Sequence, residues 1–342
     1  MASHPDLCVL FEHPEWQKPL FRALERRGVP FAAVDLKSAT FSDRDAPLAP
    51  LYFNQASPSA YVRGNARAVP FALAYMRALE IQGVRVLNGA DAFALELSKT
   101  AQAVLLRRLG IPTPRIWAFN DPRALRAHAK EIPFPVLVKP EQGGSGARIM
   151  IVQSFEDLEA FLEQHPEHWL PDNLLLLQEY FTTDPSKGIV RMEFLGGELL
   201  YAMRVVSHGR FNLCPSPVCN PGEGEADAVC ELPEQTIAAP PVEFYPYPDV
   251  PARAVEMGRR IVAHGNLDVA GVEYLETSDG QLVFYDVNAN SNLRPSIGEA
   301  YGFDPFEKVV DFLETQIAKT RAGVAEASVS RAAVKRIRRI GQ

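Results

Sequence analysis

GVEYLETSDGQLVFYDVNANSNLRP, residues 271–295, decides how the rest of the chain is read. Two apolar runs, 269–276 and 281–287, flank Asp279-Gly280, a dipeptide that favours the tight turn of a β-hairpin. Side chains alternate along a strand, so Asp286 and Asn288 share one face, and Glu273 can reach that face from the paired strand. Two carboxylates and an amide oxygen form a hard-oxygen set suited to Mg²⁺ held together with substrate phosphates. A solvated hairpin face with capping asparagines would carry the same letters. The apolar residues 282–285 instead predict a buried strand, on which carboxylates need a compensating partner.

Upstream, VLVKPEQGGSGARIMIV (136–152) reads as a strand that delivers Lys139 into a glycine-rich loop containing Gly143, Gly144, Ser145 and Gly146. Glycines let backbone N–H groups approach phosphate oxygens without Cβ interference, and the lysine adds a compact charge. The spacing is not that of a P-loop, since no Gly-Lys-Ser/Thr opens a helix here. The plain alternative is a glycine-rich turn beside a surface lysine. LLLLQEYF (174–181) is an apolar strand ending in Gln178, Glu179 and Tyr180. It suits a hinge whose backbone reads an adenine edge, or simply a core strand reaching the surface.

Toward the N-terminus, strands at 7–11, 31–36 and 84–87 alternate with helices at 16–27 and 72–82. This pattern implies a parallel, Rossmann-like sheet. Trp16, Leu20, Phe21 and Leu24 fall on one face of the first helix. Glu12-His13-Pro14 follows the first strand where a dinucleotide fold carries GxGxxG, which argues against a nicotinamide oxidoreductase. Helices are expected at 99–109, 155–164, 255–264 and 306–318, and a second hairpin at 189–206 turns at Gly196-Gly197. Residues 214–251 read as a long irregular loop, and 320–342 as a detached basic tail. The expected organisation is α/β with α+β subdomains: 1–95 Rossmann-like, 96–178 a small lobe with the glycine-rich lid, 179–319 a large lobe with the metal site, and 320–342 the tail.

Composition excludes some classes. The 342 residues are 47% hydrophobic and 23% charged with a formal net charge of -7, so there is no global footprint for nucleic acid or anionic membrane. No run is long enough to span a bilayer, and the N-terminus lacks a signal peptide's basic region. Cys8, Cys214, Cys219 and Cys230 are sparse, which fits a reducing cytoplasm. The cluster between 214 and 230 has no CxxC pair, so a zinc reading there is weak.

In this order the segments resemble the ATP-grasp superfamily, most closely RimK-type glutamate ligases and related carboxylate–amine ligases, from about residue 7 to residue 318. The resemblance implies two α+β lobes enclosing the nucleotide. It implies that Lys99, in VLNGADAFALELSKTAQAVLLRRLGIPTP, is the first ATP-contacting lysine. Lys139 with Gly143 to Gly146 is similar to the second lysine and the mobile phosphate loop, and Gln178, Glu179 and Tyr180 to the adenine hinge. Glu273, Asp286 and Asn288 correspond to the Mg²⁺ ligands, and Arg204 and Asn212 to the Arg and Asn around the reacting phosphate. The family's Asp-hydrophobic-Arg is replaced by Ile189-Val190-Arg191, with Lys187 or Asp184 upstream as candidate substitutes. Leu213-Cys214-Pro215-Ser216-Pro217 replaces a Gly-Gly loop, and Ser291-Asn292-Leu293-Arg294-Pro295 a Pro-Gly. Both departures fall where the acceptor is expected.

The resemblance therefore implies ATP with Mg²⁺ (or Mn²⁺), an acyl-phosphate, and small-molecule carboxylate and amine substrates, with a homo-oligomer left open. Arg191, Arg204 and Arg294 suggest an anionic substrate, since guanidinium matches carboxylate bidentately; for Arg191 a salt bridge is the alternative. Arg204, Asn212 and Arg294 are the expected catalytic set. Two other readings stand beside this one: a protein-modifying amino-acid ligase whose basic segment 331–339 docks an acidic partner, and a non-catalytic nucleotide-binding module.

Overall fold

The computed structural model describes residues 4–144, 146, 148–184, 186–207, 242–291 and 293–340, with side chains through residue 323. The first unit comprises β1 (Leu7–Phe11), α1 (Pro14–Arg26), β2 (Phe31–Asp35), β3 (Leu51–Gln55), the 3₁₀ helix Pro58–Arg63, α2 (Ala68–Ile81) and β4 (Arg85–Leu87). Its strands are parallel in the order β2-β1-β3-β4. A parallel sheet covered on both faces is apolar on both. Accordingly Cys8 and Leu10 pack with Ala72 and Met76 of α2, while Leu7 and Val9 pack with Leu20 and Leu24 of α1. β3 was not read from the sequence: LYFNQ is short and follows a polar stretch with no intervening helix.

The middle unit holds α3 (Ala90–Leu97), α4 (Lys99–Arg108), β5 (Ile116–Phe119), α5 (Pro122–His128), β6 (Val136–Pro140), β7 (Met150–Val152), α6 (Phe155–Gln164) and β8 (Leu175–Glu179). β5-β8-β6-β7 form an antiparallel sheet. Val136, Val138, Leu175 and Leu177 pack inward against Leu125 and Leu158 from the covering helices. The two-residue period then turns Leu137, Lys139 and Gln178 to the opposite face.

The third unit contains β9 (Ile189–Leu195), β10 (Glu198–Val206), β11 (Glu243–Pro246), α7 (Ala252–His264), β12 (Val269–Glu276), β13 (Leu282–Asn288), α8 (Pro295–Ala300) and α9 (Pro305–Ile340). The strand order is β11-β10-β9-β12-β13, antiparallel. Both glycine turns of the expected hairpins are present, with φ of 60° and 88° at Gly196 and Gly197 and 81° at Gly280. Two expectations are corrected. Part of the segment read as a loop over 214–251 is β11, held by pairing to β10 rather than by any apolar periodicity of its own. The closing helix does not stop at Ala318 but continues as α9 to Ile340; an ion pair from Arg321 to Asp6 at 2.5 Å ties the continuation to the first unit. No helix among the described residues is long and apolar enough to cross a membrane.

Candidate active site

Residues of all three units line one cavity of about 380 Å³, within the range of small-molecule sites. Helix α4 presents the first cation. Ser98 caps the helix by accepting the backbone N–H of Ala101 at 3.0 Å. Glu141, at the start of the glycine-rich loop, accepts from the Thr100 N–H at 3.1 Å, from the Thr100 hydroxyl at 3.0 Å and from the Ser98 hydroxyl. A carboxylate on a helix N-terminus is favourable, and here it pins the loop to the helix that carries Lys99. The Lys99 ammonium forms an ion pair with Asp286.

The second cation is Lys139, 6% exposed, which donates to Gln178 Oε1 at 2.5 Å. Burial, reinforced by repulsion from Lys99, pushes its pKa down to about 8. A polyanion in the cavity would reverse that shift, because an opposite charge nearby favours the protonated lysine.

Glu273 lies directly opposite Asp286 in the β12–β13 ladder, and Gly271 opposite Asn288. Asn288 donates its side-chain N–H to Asp286 Oδ2 at 3.3 Å. Glu273 accepts from Arg191 at 2.7 Å and from the Tyr285 hydroxyl at 2.7 Å. Arg191 also donates to Glu193 at 2.6 Å. Burial works against the Arg191 charge, but Glu193 and Glu273 outweigh it and hold the guanidinium firmly protonated. A Cβ at Gly271 would stand 2.1 Å from an Arg191 guanidinium nitrogen, so a larger residue there would push the guanidinium from its place in the triad. Arg191 is therefore the centre of a buried ion triad, not a free anion ligand.

Charge in this part of the site is out of balance. Burial, then the nearby Asp286, raises the Glu273 carboxyl, whereas Lys99 overcomes burial and holds Asp286 low. Glu96, near the end of α3 and just before the break at Ser98, is 3% exposed, lines the cavity and has been pushed up to about 8 by burial, with Lys99 pulling the other way. Its Oε2 has no hydrogen-bond partner among the described residues. Crowded carboxylates with an orphaned oxygen and an adjacent amide fit a hard divalent cation. Glu96, Glu193 and Tyr285 were not picked out from the sequence; the available signal was an acidic residue inside the apolar run AFALEL.

The glycine-rich loop leans on the first unit. Gln142 donates to the Pro58 carbonyl at 3.1 Å, and Arg148 lies 5.3 Å from the centre of the Tyr61 ring. A Cβ on Gly144 would come within 2.4 Å of Ser59 Cβ.

Of the residues expected from the sequence, Lys99, Lys139, Gly143, Gly144, Gly146, Gln178, Glu179, Tyr180, Glu273, Asp286, Asn288 and Arg294 line this cavity. Ser145 and Asn212 lie outside the described residues. Two expectations are corrected. Met203 and Val205 face the cavity, so strand alternation turns Arg204 away; it pairs with Glu276 at 2.7 Å and lies 4.1 Å from the Tyr247 ring centre. Lys187 sits in an exposed turn that does not line the cavity. Trp16, placed by periodicity on the buried face of α1, is 38% exposed and lines the cavity between His13 and Arg63.

No family model matches the chain. It is similar to a probable alpha-L-glutamate ligase of Haemophilus influenzae, 23% identical over 236 residues that make up 69% of each chain. An N5-carboxyaminoimidazole ribonucleotide synthase of Synechococcus elongatus is 28% identical over 148 residues, 42% of this chain and 36% of that one, so the chain spans about a third of that relative's length. Among solved structures, a RimK domain ATP-grasp protein from Sphaerobacter thermophilus superposes with a TM-score of 0.65 at 19% identity, covering 90% of this chain and 98% of the other. The ATP-grasp ligase PsnB complexed with a minimal precursor gives 0.61 at 18%, covering 92% and 100%. With a parallel sheet followed by two antiparallel lobes around a lysine-, glycine- and carboxylate-lined cavity, the chain has the fold of these ATP-grasp proteins.

Proposed function

We propose that the protein is an ATP-dependent carboxylate–amine ligase that forms an amide through an acyl-phosphate. The observation that carries this reading is the meeting of Lys99, Lys139 and the glycine-rich loop with Glu273, Asp286 and Asn288 across one cavity. Phosphoryl transfer needs positioning and charge neutralisation more than covalent help from the protein. Lys99 and Lys139 neutralise the ATP phosphates, and the backbone from Gln178 to Tyr180 reads the adenine edge. Glu273, Asp286 and Asn288 would hold Mg²⁺, or Mn²⁺ in its place, and the ion would supply charge neutralisation to the phosphates. A substrate carboxylate oxygen attacks the γ-phosphorus and ADP leaves. The amine nitrogen then attacks the acyl carbon, phosphate leaves, and the amine's proton passes to solvent or phosphate. The closed loop excludes water from the acyl-phosphate.

Small acids and amines are the proposed substrates, in the ATP-supplied, reducing cytoplasm. A peptide acceptor is the second reading, since PsnB was solved with a precursor peptide. ADP release will depend on Mg²⁺ and a carboxylate, and added hydroxylamine will yield the hydroxamate of that carboxylate. Screening single amino acids beside short peptides separates the two acceptor classes. Tight Mg²⁺–ATP binding with no ADP release across that library would make the chain a nucleotide-binding module instead.

Lys139→Ala will lower kcat/KM for ATP about a hundredfold, or about 2.7 kcal/mol, comparable to removing a preorganised oxyanion donor. KM for the amine will move little, and Lys139→Arg will recover only part, because a planar fork does not fill an ammonium's place. Steady-state kinetics with each substrate varied checks this. Intact ATP kinetics with lost amine binding would make the loop an acceptor clamp.

A further inference from the structure

A second cluster of donor groups lies on the small lobe, away from the cavity. α6 ends at Gln164, and the 3₁₀ turn Pro166–Trp169 follows at once. This brings His165, Glu167 and His168 together, with one ligand atom from each lying within 4.8 Å of the others. His165 Nδ1 is 3.1 Å from Glu167 Oε1, and His168 Nδ1 is 3.8 Å from the same oxygen. The Phe161 ring packs against both imidazoles, with centroids 4.9 Å from His165 and 4.5 Å from the buried His168.

The buried member carries the argument. His168 is 8% exposed, and its Nδ1 has no hydrogen-bond partner among the described residues although it faces the Glu167 carboxylate. A buried polar nitrogen without a partner is costly unless something outside the protein satisfies it.

We propose that His165, Glu167 and His168 form a binding site for a borderline divalent cation of the Zn²⁺ class. Two imidazoles and one carboxylate suit such an ion, where the all-oxygen set at Asp286 suits Mg²⁺. Bonds of about 2.0–2.2 Å in a tetrahedral arrangement place neighbouring ligand atoms about 3.4 Å apart. The His165 and Glu167 side chains, 42% and 48% exposed, can rotate to that spacing, and the fourth position is open to water. Arg148 donates to the carbonyls of Glu167 and Leu170, both at 3.1 Å, so an ion here would also stiffen the turn that receives the end of the glycine-rich loop.

Titrating the full chain with ZnCl₂ in a calorimeter, in excess MgCl₂ to occupy the oxygen site, tests the proposal. One Zn²⁺ per chain is expected, weakened at least tenfold in Glu167→Gln and in His165→Asn. Both residues are exposed enough for these variants to fold, and His168→Asn is a third, buried test. Absence of Zn²⁺ binding would overturn the site. Binding of equal strength in the wild type and both exposed variants would also overturn it, by moving the ion elsewhere, such as Cys214, Cys219 and Cys230.

Discussion

Asp286→Asn will cut the rate of Mg²⁺-dependent ADP release about a thousandfold while the protein remains folded. Lys99 holds the Asp286 carboxyl low against burial, so among the described residues it is a carboxylate well placed to bring negative charge to a cation on β13. Replacing it with an amide keeps the shape and removes that charge. The loss falls on the transition state, where removing a single preorganised electrostatic group costs about 10²–10³ in kcat; withdrawing a metal ligand belongs at the upper end. The fold survives because Leu282 and Phe284, on the same strand, pack into the core formed with α7. ADP release measured against Mg²⁺ concentration, with a urea midpoint for each protein, separates chemistry from folding. Near-wild-type activity at low Mg²⁺ would show that this hairpin does not hold the metal.

Arg191→Met will lower stability by about 3–5 kcal/mol, the usual cost of breaking a buried ion pair from one side. Glu193 is wholly buried and Glu273 nearly so, and without the guanidinium each is an uncompensated buried carboxylate. The pH dependence gives the check its sign. Burial already raises Glu273, and without the guanidinium Glu273 favours the protonated form in the folded state more strongly. A group with a raised folded pKa gains stability as pH falls through that pKa, until the unfolded chain also protonates near 4.3. The deficit relative to wild type will therefore be largest near pH 7 and will shrink toward pH 5. Urea denaturation at the two pH values measures it. A loss below about 1 kcal/mol at pH 7 would mean that the triad is more solvated than its geometry indicates.

The legible parts of the site are those written in consecutive residues. Lys139 is followed directly by its glycines, and Asp286 and Asn288 share a strand face by a two-residue count that needs no tertiary knowledge. Arg204 was misplaced because residue type cannot say which face of β10 meets the cavity; that depends on register with β9 and β11. β11 itself is set by pairing with a distant strand and carries no local signature. Arg191 shows the same limit. Glu193, two residues along, lies on its face of the strand, but Glu273 joins only when β12 pairs with β9. Glu96 looks like any helical glutamate until α3 is packed beside Lys99 and Asp286.

The docking of Gly144 against Ser59 has a thermodynamic consequence. The glycine-rich loop packs on a surface supplied by the first unit, so its position is a shared property of two bodies. With the loop on nucleotide as proposed, a ligand that displaces the 3₁₀ helix Pro58–Arg63 would weaken the grip, and one that steadies it would strengthen it. Linkage makes the effect reciprocal: nucleotide must favour the same placement of Pro58–Arg63 by an equal free energy. That coupling would run through Gly144 against Ser59, Gln142 on the Pro58 carbonyl and Arg148 over the Tyr61 ring.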